Sequence, residues 1–257
     1  VDGTDLNNYS LADTATGTVG EITAKTITAT LTGTVSKIYN GTTSATLTSA
    51  NYQLGGFAPG ESATITQTVG AYDTKDKGTS KEVTVTLTGT YQAVDGTDLN
   101  NYSLADTATG TVGEITAKTI TATLTGTVSK IYNGTTSATL TSANYQLGGF
   151  APGESATITQ TVGAYDTKDK GTSKEVTVTL TGTYQAVDGT DLNNYSLADT
   201  ATGTVGEITA KTITATLTGT VSKIYNGTTS ATLTSANYQL GGFAPGESAT
   251  ITQTVGA

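Results

Sequence analysis

The nine residues Val1-Asp2-Gly3-Thr4-Asp5-Leu6-Asn7-Asn8-Tyr9 return unchanged at 94–102 and again at 187–195, and so does everything between them. The 257-residue chain is therefore two identical 93-residue periods and 71 residues of a third. A period of this length is too long for one coil of a solenoid, whose neighbours share a single core. It fits one small domain per period, strung like beads. Identical copies can do nothing individually that their neighbours cannot. Reach, spacing and multivalency are the properties such an array supplies.

Within one period the pattern is all β. From Thr26 to Thr34 every even position is Thr, while Ile27, Ala29, Leu31, Gly33 and Val35 occupy the odd ones. That two-residue alternation marks a strand with one buried face. Val83, Val85 and Leu87 repeat the theme, as do Ala63, Ile65 and Val69 between threonines. Ala15, Gly17 and Val19 alternate with Thr14, Thr16 and Thr18, but the phase slips at Gly20 and Ile22 falls on the other face, which predicts a bulge or a switch of sheet. Turn dipeptides separate these runs: Asp2-Gly3, Asn40-Gly41, Gly55-Gly56, Pro59-Gly60 and Lys77-Gly78. No helical stripe competes. About seven short strands per period predict an all-β chain, a tandem array of small immunoglobulin-like β-sandwich domains, one per 93-residue repeat. Identical neighbours with open sheet edges also make strand exchange, along the chain or between chains, an expected hazard.

Composition excludes whole classes of function. The chain has no Cys and no His, which removes the commonest metal ligands and acid–base groups, and no nucleophile stands beside a base. An enzyme is not expected. All 12 basic residues are Lys, against 21 carboxylates, for a net charge of −9. Without a basic patch, nucleic acid is not an expected partner. No run approaches 18 apolar residues, so membrane insertion is not expected either.

The stretch from Lys25 to Gly33, followed by Ser36-Lys37-Ile38-Tyr39-Asn40-Gly41-Thr42-Thr43, resembles the opening of the YDG-type (MBG-like) tandem repeats of bacterial filamentous-haemagglutinin-type surface adhesins. The eponymous Tyr-Asp-Gly stands here as Tyr39-Asn40-Gly41, with Asn in place of Asp. Lys81–Val85 is similar to a late strand of the family, and Asn101–Leu104 with Gly113–Thr116 to its closing strands. In that frame the domains run 25–117 and 118–210, each a complete β-sandwich repeat. Residues 1–24 form the C-terminal part of a preceding repeat and 211–257 the N-terminal part of a further one. The resemblance implies an exported stalk at the bacterial cell surface or in its matrix. Lack of Cys is compatible with export, and the absence of a leader-like segment fits an internal piece of a longer chain.

Two candidate sites emerge. Asp95, Asp98, Asn100 and Asn101 crowd four oxygen-bearing side chains into one loop and could ligate calcium, which prefers hard oxygen donors. The same residues are ordinary turn formers, their spacing matches no known calcium loop, and a solvated turn is the expected state. No resident cofactor is expected. Tyr52, Phe57 and Tyr72 could form an aromatic platform for sugar rings. The expected function is thus a structural stalk or fibre segment of an extracellular adhesin, acting in cell adhesion or a biofilm matrix. Its partners would be neighbouring identical repeats and other copies in a fibre. The alternative is a multivalent module binding glycan or extracellular polysaccharide, gaining strength from avidity.

Overall fold

A computed structural model describes residues 1–256. The described residues form two compact units, one of residues 1–37, 43–74 and 78–114, the other of 38–42, 75–77 and 115–257. Among them there is no α-helix; short strands and single 3₁₀ turns make up all regular structure.

The first copy contains eleven strands: β1 (Lys25–Thr26), β2 (Thr28–Leu31), β3 (Val35–Ile38), β4 (Ser44–Thr46), β5 (Tyr52–Gly55), β6 (Ser62–Ile65), β7 (Val69–Tyr72), β8 (Gly78–Thr86), β9 (Tyr91–Val94), β10 (Tyr102–Ser103) and β11 (Thr107–Thr116). All eleven recur 93 residues later, from Lys118–Thr119 to Thr200–Thr209. Seven strands form the main sheet, in the order β4-β7-β8-β11-β2-β5 with β3 also against β11; β1 pairs with β10, and β6 with β9. Among the described residues each sheet draws its strands from a single copy, so no strand is exchanged along the chain.

The core of the second copy shows how the alternation closes. Val176, Val178 and Leu180 are at most 1% exposed and pack with Leu124, Val128, Leu140, Ala201 and Ile208 of the main sheet. Ile158, from the β6-type strand of the small sheet, joins the same cluster, so two sheets enclose one core. Thr occupies the outer face, where its branched side chain suits an extended backbone and keeps the surface wet without charge.

Three sequence expectations need correction. The ten-residue alternation from Thr26 to Val35 is not one strand. Gly33, at φ +72°, turns the chain between β2 and β3, although Ile27, Leu31 and Val35 are all buried as the pattern requires. The odd positions face inward because each short strand starts in phase. Val69, expected inside, is 62% exposed. Ile65 ends β6 in the small sheet and Val69 begins β7 in the main one; between them the Gln67 side-chain oxygen accepts from the amides of Thr68 and Val69 and resets the phase. Finally, Lys81 is 8% exposed on the inward face of β8, where no lysine is expected. It keeps its charge partnered by Asp73 at 3.1 Å.

The predicted phase slip is a pair of bulges. Opposite Gly171–Val176 the register of Thr200–Thr209 shifts twice, once with the extra residue on each strand. Ala201 and Ile208, seven residues apart, thereby both reach the core, at 1% and 2% exposure. Gly206 is required there: a β-carbon would stand 2.8 Å from the Tyr165 ring and 2.9 Å from the Lys174 carbonyl.

Candidate functional site

The candidate calcium loop is a turn in which Asp98 and Asn100 engage each other. Asp95 (φ 53°) and Gly96 (φ 79°) are both left-handed, and the Thr97 amide donates back to the Val94 carbonyl at 3.1 Å. This is the geometry of a tight turn built from Asp-Gly. Asp98 caps the 3₁₀ turn Leu99–Asn101, its Oδ1 accepting from the Asn100 amide at 3.0 Å and from the Asn100 side chain at 2.9 Å. Asn101 is exposed in the first copy. Among the described residues, no group of three or more acidic side chains is gathered at metal-binding distance.

The aromatic candidates also divide. Tyr72 is a core residue, 3% exposed, with its hydroxyl donating to the Val35 carbonyl at 2.9 Å. Burial pushes its phenol pKa up. It cannot serve as a platform. Tyr52 and Phe57 line a cavity of about 380 Å³ with Leu54, Glu61, Ser62 and Ile65, and the second copy has the same cavity at about 230 Å³. Yet Tyr52 is tied to the Gln67 carbonyl at 2.8 Å, and Phe57 packs edge-on against Tyr102 at 5.0 Å.

The densest polar constellation lies elsewhere, in the second compact unit, where residues 38–42 and 75–77 meet the loop after Phe150. Glu154 is the hub. Its Oε1 accepts from the Tyr39 hydroxyl at 2.6 Å and from Lys75 Nζ at 3.1 Å, and its Oε2 accepts from the Tyr195 hydroxyl at 2.6 Å. Tyr195 in turn accepts from the Ala151 amide at 3.0 Å. The Tyr39 ring is 1% exposed and stands edge-on to Tyr195 at 5.3 Å. Beside it Asn194, also 1% exposed, accepts from the Lys77 amide at 2.8 Å and donates to Asp76 Oδ1 at 2.9 Å. Burial pushes the Glu154 carboxyl up, but hydrogen bonds from Tyr195, Tyr39 and Lys75 outweigh it and hold the group below its usual range. Burial, and then the hydrogen bond to Glu154, push the Tyr195 phenol up to about 12.

The arrangement repeats. Ninety-three residues on, Tyr132 donates to Glu247 Oε1 at 2.5 Å and Lys168 reaches the same oxygen at 3.3 Å. Within the first unit Tyr102 donates to Glu61. These residues were invisible as a site in the sequence, because Tyr39 and Glu154 lie 115 residues apart. The one available signal was the Tyr-Asn-Gly triad itself. Its local chemistry is clear in the fold: Asn40 Oδ1 accepts from the Thr42 amide at 3.1 Å and the Thr42 hydroxyl at 2.9 Å, so Asn supplies the same acceptor oxygen as Asp would.

Against known families, the YDG domain model matches residues 23–110 and 116–203. The chain belongs to the YDG-domain family. The two matched ranges overlap the two eleven-strand sheet sets and end within the last strand of each, and each set carries one Tyr-Asn-Gly turn. No curated protein and no solved structure matches the chain.

Proposed function

We propose that this tandem YDG chain is a structural stalk or fibre segment of a bacterial extracellular adhesin, giving reach through identical repeats. The observation that carries the reading is the recurrence, at the same 93-residue spacing, of a glutamate held by a tyrosine and a lysine: Glu154 with Tyr39 and Lys75, Glu247 with Tyr132 and Lys168. A specific joint between consecutive copies is what a spacer needs and what a catalyst does not. Only Ala117 separates β11 from the first strand of the next copy. The stalk acts by geometry, holding a distal adhesive region away from the cell at the bacterial surface or building matrix. Its partners are neighbouring repeats and other copies of the chain.

Adding two further 93-residue repeats tests this. Small-angle scattering should show the maximum dimension growing by a constant increment per repeat, roughly 35–45 Å for domains built on ten-residue strands. Growth with the cube root of chain length would refute the stalk. The competing reading, a polysaccharide module, rests on the cavity lined by Tyr52 and Phe57. Saturable binding of a matrix polysaccharide that is lost in Tyr52→Ala would favour it.

A further inference from the structure

The triad that gives the family its name has a local role in turning the chain, but that role leaves Tyr39 unexplained. A turn needs the side-chain oxygen of Asn40 and the left-handed glycine at 41; it does not need a tyrosine. Tyr39 nevertheless is among the largest fully buried side chains of the protein, and what buries it is the loop of a different copy.

We infer that the Tyr-Asn-Gly turn is a plug, and that the Ala-Pro-Gly-Glu loop of the following copy, with its Tyr195 and Asn194 equivalents, is the socket that recognises it. The partner is thus another YDG repeat. Its distinguishing features are a tyrosine hydroxyl, a close-approaching glycine and a lysine 36 residues further on. This rests on reading the chain as an array, and it adds which residues make consecutive repeats recognise each other.

Each element of the triad has a place in the fit. Tyr39 brings a ring that packs on Tyr195 and a hydroxyl that one glutamate oxygen accepts. Gly41 sits against the socket: a β-carbon there would just touch the Ala151 β-carbon at 3.4 Å, and at Gly134 it would crowd that of Ala244 at 3.2 Å. Gly41 also holds φ +79°, which other residues adopt only with strain. The second half of the plug is the 75–77 loop. Lys75 neutralises the glutamate and lies 5.9 Å from the Tyr39 ring centre, while Asp76 and the Lys77 amide engage Asn194. Asn194 is the clearest sign of a built socket, because a fully buried amide without partners would be costly, and both its donor and its acceptor are used by the plug.

Hydrogen exchange of the full chain tests the inference at one atom, the Lys77 amide, which the socket Asn194 protects. Tyr39→Phe and Glu154→Gln should each speed its exchange roughly ten- to hundredfold, the range for losing a charge-assisted hydrogen bond. The Val176 amide, in the core of the second copy, should not change, which separates an open joint from an unfolded repeat. Glu61→Gln is the control: it alters the same sequence position in the first copy and should leave Lys77 untouched. Lys77 exchange unchanged in both Tyr39→Phe and Glu154→Gln would overturn the plug, as would an equal effect from Glu61→Gln. The scattering experiment on longer arrays stands apart. Faster Lys77 exchange with no linear growth would keep the plug and remove the stalk; linear growth with unchanged exchange would do the reverse.

Discussion

Gly20, Gly113 and Gly206 occupy the same place in three identical sequences, and an alanine scan of the three isolates what tertiary packing asks of one residue. At Gly206 an added β-carbon would lie 2.8 Å from Tyr165 Cε1, 2.9 Å from Tyr165 Cδ1 and 2.9 Å from the Lys174 carbonyl oxygen. Ordinary van der Waals contact begins roughly half an ångström further out. The ring cannot swing away freely, because Tyr165 is 3% exposed and its hydroxyl is bonded to the Val128 carbonyl at 2.8 Å. The carbonyl cannot yield without moving the strand Gly171–Thr179. No positive φ is involved, so the cost is steric alone. Overpacking of this kind costs about 2–3 kcal/mol, and at 4–8 °C per kcal/mol for a domain near 90 residues the second copy should melt about 10–20 °C lower. Scanning calorimetry reads this directly. The two identical copies should melt together in the parent chain and split into two transitions in Gly206→Ala. Gly113→Ala, with the same 2.8 Å approach to Tyr72, should give a matching loss in the first copy. Gly20→Ala meets nothing within 4 Å and should change nothing. A Gly206→Ala chain whose transitions stay within about 3 °C of the parent would refute the packing argument.

Three further outcomes follow from single groups. Tyr165→Phe leaves the Val128 carbonyl without its donor and should cost about 1–2 kcal/mol by chemical denaturation, more than Tyr145→Phe, whose ring is only half-buried. The Glu154 hub should weaken in acid: its carboxyl is held below the usual range, so the stabilisation is complete above the ordinary carboxylate range and lost as pH falls through the depressed value. The groups facing it are Tyr39, Tyr195 and Lys75, of which only the glutamate titrates in that window, so Glu154→Gln should flatten this part of the pH profile of Lys77 exchange. Calcium should not matter, since Asp98 is already engaged by Asn100; a shift in melting temperature above about 5 °C between excess calcium and chelator would make Asp95, Asp98, Asn100 and Asn101 a metal site after all.

Local physics made a large part of the fold legible. Alternation alone placed Ile27, Leu31, Val35, Val83, Val85 and Leu87 inside, and all six are buried. The slip of phase at Gly20 announced the bulges found at its equivalents. These succeed because a two-residue period is a property of the strand itself and survives any arrangement of strands. Alternation fails where the chain changes sheet, as at Gln67 between β6 and β7, because phase carries no information about which sheet receives the next strand. Lys81 fails differently: a lysine reads as solvent-facing until a carboxylate such as Asp73 is placed beside it. Tyr72 left the aromatic trio for a similar reason, since the sequence gives no hint that the Val35 carbonyl waits for it within the core.

The repeat, its period, its all-β character and the absence of His and Cys were determined by the sequence alone, because each follows from residue identity and spacing along one strand. The glutamate hub was decided only by the tertiary structure. Tyr39, Lys75, Glu154, Asn194 and Tyr195 share no periodic pattern, and each has a bland local explanation as a turn, loop or strand-end residue. A half-buried carboxylate with three donors forms only when residues 41, 79 and 115 positions away converge on it, which no local preference encodes.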